Sequence, residues 1–164
     1  MSTGYHITRR TMLETLGVLG AAATAGLALW RPGPAAAQAL GGQEIVQEGL
    51  KRLFGTRPIK DGSGVVKLDI PLIAENGAVV PVSVEVQSPM TGQNYVKGIY
   101  VIADKNRIPV VTHVTLAPEA GAAFMGANIR LGETTDVRAI AEQSDGTLLA
   151  VKREVKVTVG GCGG

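Results

Sequence analysis

An alternation of apolar and polar residues with a period of two constrains the fold of this chain more than any other feature. Along Val80–Val86, valine occupies every second position, and Pro81 and Glu85 are among the residues between. Successive side chains of a strand point to opposite faces of a sheet, so this pattern predicts strands with one buried face. The strands predicted in this way are Val66–Leu72, Val80–Val86, Tyr95–Ala103, Ile108–Leu116, Phe124–Leu131, Val137–Ala141 and Leu148–Val159.

One short helix and several turns complete the predicted secondary structure. Val46, Leu50 and Phe54 recur at helical spacing, and Gly55 follows as the residue that ends the helix. Clusters of turn-forming residues separate the strands. The clearest of them are Glu75–Ala78, Asp104–Asn106 and Ser144–Gly146.

The number and spacing of these strands favour an all-β fold. We predict an immunoglobulin-like antiparallel β-sandwich with a short N-terminal helix, and a small barrel is the alternative. Aromatic residues make up only 4% of the chain, so we expect a core of valine, isoleucine, leucine and alanine. Pro71 and Pro81 have no amide hydrogen, which predicts that their strands lie at sheet edges or contain bulges.

Residues 1–39 have the pattern of an export signal that is removed from the mature protein. Arg9 and Arg10 precede a small-residue apolar run, and Ala37 and Ala39 suit cleavage after Ala39. A membrane anchor is the alternative, but the run of about fifteen residues is shorter than the roughly 20 that cross a bilayer. The paired arginines favour the twin-arginine route, which exports folded proteins, although Glu14 departs from that pattern. We therefore predict a periplasmic protein.

Charge and composition exclude several classes of function. The chain has 16 basic and 14 acidic residues, of which three and one lie in residues 1–39, so 13 of each remain. A neutral mature chain gives no electrostatic argument for binding nucleic acid or a membrane surface. One cysteine and two histidines exclude an internal disulfide and a Cys/His zinc site, and we predict no metal and no cofactor. His113, the one histidine after the signal, is predicted to be a strand surface or edge residue.

The C-terminal sequence Gly160-Gly161-Cys162-Gly163-Gly164 predicts a flexible arm that carries a thiol. Glycine is costly to order, and four glycines give the arm mobility and a minimal cross-section, with a reach of at most about 17 Å. A cysteine hydrolase needs a rigid catalytic shell, and a dithiol oxidoreductase needs a second cysteine. The arm fits a covalent carrier that is not itself an enzyme. The predicted divisions are therefore a signal at 1–39, a sandwich at 40–159 and an arm at 160–164.

The chain resembles a known family over essentially its whole length. It is similar to SoxY, the family of sulfur-carrier subunits of the periplasmic thiosulfate-oxidising (Sox) system. The resemblance rests on the terminal Gly-Gly-Cys-Gly-Gly sequence after a β-strand and on the twin-arginine leader. Supporting segments are Ile73-Ala74-Glu75-Asn76-Gly77, Asp104-Lys105-Asn106, Leu131-Gly132-Glu133-Thr134-Thr135 and Val155-Lys156-Val157-Thr158-Val159.

The resemblance implies an immunoglobulin-like fold, a heterodimer with the companion subunit SoxZ, and sulfur intermediates held covalently on Cys162. It further implies three kinds of partner enzyme. A haem-containing enzyme would couple thiosulfate to the cysteine, a di-metal hydrolase would release sulfate, and another enzyme would oxidise the remaining sulfane sulfur. Export together with folded SoxZ would explain the paired arginines.

Two other interpretations remain at the level of sequence. A terminal Gly-Gly is also found in ubiquitin-like thiocarboxylate carriers of the cytosol, although the export signal and the strand pattern disfavour that class. The second is a non-catalytic periplasmic binding module whose cysteine only crosslinks.

Overall fold

The computed structural model describes residues 45–161, which form one α-helix and nine β-strands. The predicted export signal and Cys162, Gly163 and Gly164 lie outside the described residues. The elements are α1 (Val46–Phe54), β1 (Ile59–Asp61), β2 (Val66–Asp69), β3 (Ile73–Asn76), β4 (Val80–Val86), β5 (Val96–Ala103), β6 (Val110–Thr115), a 3₁₀-helix (Pro118–Ala120), β7 (Ala123–Ile129), β8 (Thr135–Gln143) and β9 (Leu148–Val159).

The strands form two facing sheets. The larger sheet has the order β1-β9-β8-β5-β6, with β3 also paired to β9, and the smaller sheet has the order β2-β4-β7. Alternate side chains of both sheets, such as Val84 and Val101, are fully buried between them. The predicted immunoglobulin-like sandwich is confirmed, as is its core of aliphatic side chains.

One predicted strand, Val66–Leu72, is in fact two. β2 pairs antiparallel with β4, whereas β3 changes to the other sheet and pairs parallel with β9. Pro71 lies in the break between them, where no sheet hydrogen bond requires an amide hydrogen. The turn predicted at Glu75–Ala78 therefore begins only after Asn76. β1 also pairs parallel with β9, whereas the remaining strand pairs of the sandwich are antiparallel.

Pro81 lies in β4, the middle strand of the smaller sheet, where the proline predicted a sheet edge or a bulge. The ladder between β2 and β4 extends only from Ser83 to Val86 on β4. At Pro81 the strand therefore has β7 as its single neighbour within the smaller sheet, opposite Asn128. The rule holds locally for this end of β4 but not for the strand as a whole.

Helix α1 covers the outer face of the larger sheet. Phe54 is 4% exposed and packs edge-to-face on Tyr100, with ring centroids 5.0 Å apart. It belongs to a second apolar cluster with Ile102, Ile140 and Leu148, on the side of the sheet opposite the main core. Gly55, with φ 64°, ends the helix as predicted. Among the described residues, no helix combines the length and apolar character needed to span a membrane.

Candidate functional site at the C-terminal end of the sandwich

The last strand ends at a junction of three backbone segments, which we call the root junction: Gly77, Leu131 and Val159–Gly161. The Gly77 amide donates to the Val159 carbonyl at 2.7 Å, and the Leu131 amide donates to the Gly77 carbonyl at 2.8 Å. The Gly161 amide then donates to the Leu131 carbonyl at 3.0 Å. The three segments thus hold one another through main-chain groups alone, directly before Cys162.

The junction is built on glycine because the backbones approach too closely for a side chain. A Cβ atom on Gly77 would overlap the Leu131 carbonyl oxygen and lie 2.8 Å from the Gly161 nitrogen. A Cβ atom on Gly161 would lie 2.6 Å from the Gly77 oxygen, and one on Gly160 would overlap the Gly132 oxygen. Gly161 is buried. Close approach is a second reason for glycine at 160 and 161, in addition to the predicted mobility and clearance.

A buried amide supports the Leu131 side of the junction. The Asn106 side chain, 4% exposed, donates from Nδ2 to the Arg130 carbonyl at 2.8 Å. Its Oδ1 accepts a hydrogen bond from the Gly132 amide at 3.2 Å. One side chain therefore fixes the residues on both sides of Leu131. Sequence reasoning placed Asn106 in a turn and assigned it no role in the site.

Two further side chains hold neighbouring parts of the chain. Thr134 Oγ1 accepts a hydrogen bond from the Val157 amide at 3.0 Å, which ties the loop before β8 to β9. Asn76 Oδ1 accepts from the Ala78 amide at 2.9 Å and forms the turn that contains Gly77. The pair Asn76-Gly77 was the sequence signal at this position, but it indicated a turn rather than a contact with the C-terminus.

Two large apolar side chains are exposed beside the junction. Val79 follows the Gly77 turn and is 59% exposed, and Val159 at the end of β9 is 62% exposed. This end of the sandwich therefore combines the backbone junction with two exposed apolar side chains, and the exposed charged residues Arg130 and Glu133 lie on either side of Leu131 and Gly132.

His113 lies far from this junction. It is exposed on the edge strand β6, as predicted, and its ring stacks on Tyr100 with a centroid distance of 5.7 Å. Across the larger sheet, His113 pairs with Tyr100, Tyr100 with Ile140, and Ile140 with Ala150 of β9. His113 therefore lies at the position of Ala150 along the strand direction. The nine residue-to-residue steps from Ala150 to Val159 span about 30 Å along the strand. His113 cannot act as a base at the C-terminus of the same chain.

The titratable groups with shifted pKa values belong to other parts of the described chain. A hydrogen bond to Asp104 raises the pKa of Arg138, and hydrogen bonds from Ser63 and Thr147 lower the pKa values of Asp61 and Asp145 in their turns. None of these groups is in the root junction. Residues 45–161 also contain no group of three or more His, Cys, Asp or Glu side chains placed to hold a metal ion.

Comparison with known proteins first defines the class of fold. A superoxide reductase (neelaredoxin) and a protein described as a putative superoxide reductase have a similar sandwich. The T24K variant from Ignicoccus hospitalis is 16% identical with a TM-score of 0.52, covering 57% of this chain and 79% of the other. A putative one from Thermotoga maritima is 15% identical with a TM-score of 0.50, covering 62% and 93%. At these identities the likeness concerns the fold alone. A comparison with functionally curated proteins gives no match.

Two further findings identify the family. The structure of the sulfur carrier protein SoxY from Chlorobium limicola f thiosulfatophilum is 29% identical, with a TM-score of 0.58, covering 69% of this chain and 96% of the other. A family model described as sulfur oxidation protein SoxY matches residues 50–162. The chain belongs to the SoxY family. The matched region ends at Cys162, the residue that follows the root junction.

Proposed function

We propose that this protein carries sulfur intermediates of thiosulfate oxidation as covalent adducts of Cys162. The observation that carries the proposal is the family match, which extends through the sandwich to Cys162. The similar structure from Chlorobium limicola is of a protein described as a sulfur carrier. Cys162 is also the only cysteine in the chain, so no other thiol is available for this role.

The proposed cycle begins with an oxidative coupling. The Cys162 thiol and the sulfane sulfur of thiosulfate form an S–S bond, which releases the thiol proton and two electrons to a haem-containing partner. The product is a cysteine S-thiosulfonate. Water then attacks the sulfonate sulfur in a di-metal partner hydrolase, which releases sulfate and protons and leaves a persulfide on Cys162. A third partner oxidises that remaining sulfane sulfur.

The residues around the root junction support a division of labour between carrier and enzymes. Gly77, Leu131 and Val159–Gly161 contribute main-chain groups and aliphatic side chains, which offer neither an acid, a base nor a redox centre. A thiol at this position needs an external electron acceptor for the coupling and an external catalyst for the hydrolysis. On this proposal the protein is a substrate of its partners and not itself an enzyme.

The proposal includes a location and a companion subunit. The twin-arginine pattern at Arg9 and Arg10 supports export of the folded protein to the periplasm, where Sox-type oxidation takes place. Export through this route would allow a SoxZ companion without a signal of its own to travel with it. A heterodimer with SoxZ is therefore part of the proposal.

The test is intact mass spectrometry of the mature protein after incubation with thiosulfate and the oxidising partner. We expect a mass increase of one thiosulfonate group, removable by dithiothreitol, on the wild-type protein and none on Cys162→Ser. Sulfate release by the hydrolase should depend on the same residue. An unmodified wild-type chain, or equal turnover by Cys162→Ser, would contradict the carrier role and favour a binding module whose cysteine only crosslinks.

A further inference from the structure

The glycine content predicts a C-terminal arm that is mobile from Gly160 onward, but the chain is still attached to the sandwich at Gly161. Gly161 is buried, and its amide donates to the Leu131 carbonyl at 3.0 Å. Gly77 lies against both residues. Its amide donates to the Val159 carbonyl, and its carbonyl accepts from the Leu131 amide. The part of the arm that precedes Cys162 is therefore paired with the end of the sheet.

Gly77 is the residue whose size makes this pairing possible. A Cβ atom there would overlap the Leu131 carbonyl oxygen, which is the acceptor for Gly161, and would lie 2.8 Å from the donor nitrogen. A third obstacle is the Val157 side chain, 2.9 Å away. The backbone of Gly77 does not have a positive φ, so it does not adopt the conformation that favours glycine. Its role is thus one of space and not of backbone freedom.

Anchoring at Gly161 limits where the thiol can go. Consecutive Cα atoms are 3.8 Å apart, so the Cys162 sulfur lies within about 7 Å of the Gly161 Cα whatever its rotamer. In an arm that was free from Val159 onward, Gly160 and Gly161 would also move and would extend the reach of the thiol. The anchored root therefore keeps the thiol beside one end of the sandwich.

We propose that Gly77 is a positioning residue of the carrier arm: it leaves room for Gly161 to pair with Leu131 and so fixes the point at which Cys162 leaves the domain. This inference rests on the proposed function in treating Cys162 as the reactive residue. Gly77 touches no substrate, and it acts through the backbone of Gly161.

The test compares Gly77→Ala with Gly92→Ala. Gly92 is the matched control because a Cβ atom there has no neighbour within 4 Å and its φ is ordinary. We expect the Gly161 amide of the wild type and of Gly92→Ala to be protected from hydrogen exchange. In Gly77→Ala, protection should fall by about two- to twelvefold, the range for one lost hydrogen bond.

A nitroxide label on Cys162 gives a second measurement, since this is the only cysteine. Gly161→Ala serves as a second variant, because its Cβ atom would lie 2.7 Å from the Ala78 nitrogen and 2.6 Å from the Gly77 oxygen. We expect faster label motion in Gly77→Ala and Gly161→Ala than in wild type and Gly92→Ala. Equal motion in all four proteins, or an unprotected Gly161 amide in the wild type, would overturn the proposal.

These measurements use no sulfur substrate and no partner. An anchored root in a protein that forms no thiosulfonate would refute the proposed function and leave the positioning role intact. A free root in a protein that does form the adduct would refute the positioning role alone.

Discussion

Arg57 connects the segment after helix α1 to the larger sheet, and its replacement gives a quantitative test of how that helix is held. Its Nη1 donates to Glu142 Oε1 at 2.8 Å, and its Nε donates to the Phe54 carbonyl at 3.2 Å. Glu142 is 7% exposed and also accepts a hydrogen bond from Tyr100 Oη at 3.3 Å. Arg57→Gln would leave a buried carboxylate with one neutral donor and Lys97 Nζ at 3.9 Å.

The expected loss of stability follows from the exposure of the Arg57 and Glu142 side chains. Breaking a fully buried ion pair costs about 3–5 kcal/mol, whereas an exposed pair contributes about 0–1 kcal/mol. The Glu142 side chain is 9% exposed but that of Arg57 is 40% exposed, and Lys97 remains nearby. We therefore expect the free energy of unfolding to fall by about 1–2 kcal/mol at neutral pH, or roughly 3–10 °C in Tm for a domain of this size.

The pH dependence of the stability difference distinguishes the loss of the charge interaction from the loss of packing. Burial alone would raise the pKa of Glu142, but the hydrogen bond from Arg57 and the charges of Arg57 and Lys97 outweigh it, so the pKa is lowered. A lowered pKa stabilises the fold above the ordinary carboxyl value of about 4.3, and that stabilisation is lost as the pH falls through the lowered value. The difference between wild type and Arg57→Gln should therefore be largest near pH 7 and shrink below about pH 4.

Urea unfolding at several pH values, followed by circular dichroism, measures these differences. Arg107→Gln is the control for removing an exposed arginine, since the described structure gives Arg107 no hydrogen bond or ion pair. A double-mutant cycle with Glu142→Gln isolates the pair. Additive effects of the two substitutions, or a loss in Arg57→Gln that is independent of pH, would refute the reasoning.

Two further predictions concern the support of the root junction. Leu131→Ala removes a side chain with 0% exposure and should lower the free energy of unfolding by about 2–5 kcal/mol in urea unfolding; a loss below about 1 kcal/mol would contradict its place in the core. Asn106→Ala removes the donor to the Arg130 carbonyl and the acceptor for the Gly132 amide, at a cost of about 2–3 kcal/mol. Hydrogen exchange of the Gly132 amide should become faster in that variant, and unchanged exchange would show that Asn106 does not support the loop.

The sequence predicts best the strand that has one fully buried face. β4 has the predicted limits, Val80 to Val86, and all four of its valines are buried. β1 was missed because all three of its residues are exposed, which removes the alternation on which the prediction depends. The division of the predicted strand at Pro71 was missed for another reason. Which sheet a strand joins is decided by tertiary pairing, here the parallel ladder of β3 with β9.

The candidate site shows the same limit. The single cysteine and its glycines are visible in the sequence, and they pointed to the family before any coordinates. The contacts of Gly77 and Leu131 with Gly161 are not visible, because they join main-chain groups from distant parts of the chain. Composition can predict that a glycine is free to move, but only the positions of neighbouring backbones show that a glycine is needed for close approach.

An anchored root has a consequence for how partners recognise the protein. If Gly161 stays paired with Leu131, the thiol emerges beside Val79 and Val159, so any protein that reacts with it must contact this end of the sandwich. On the proposed carrier function, the partner enzymes would therefore use the same end of the sandwich in turn. This is the behaviour that a carrier shared between successive reactions requires.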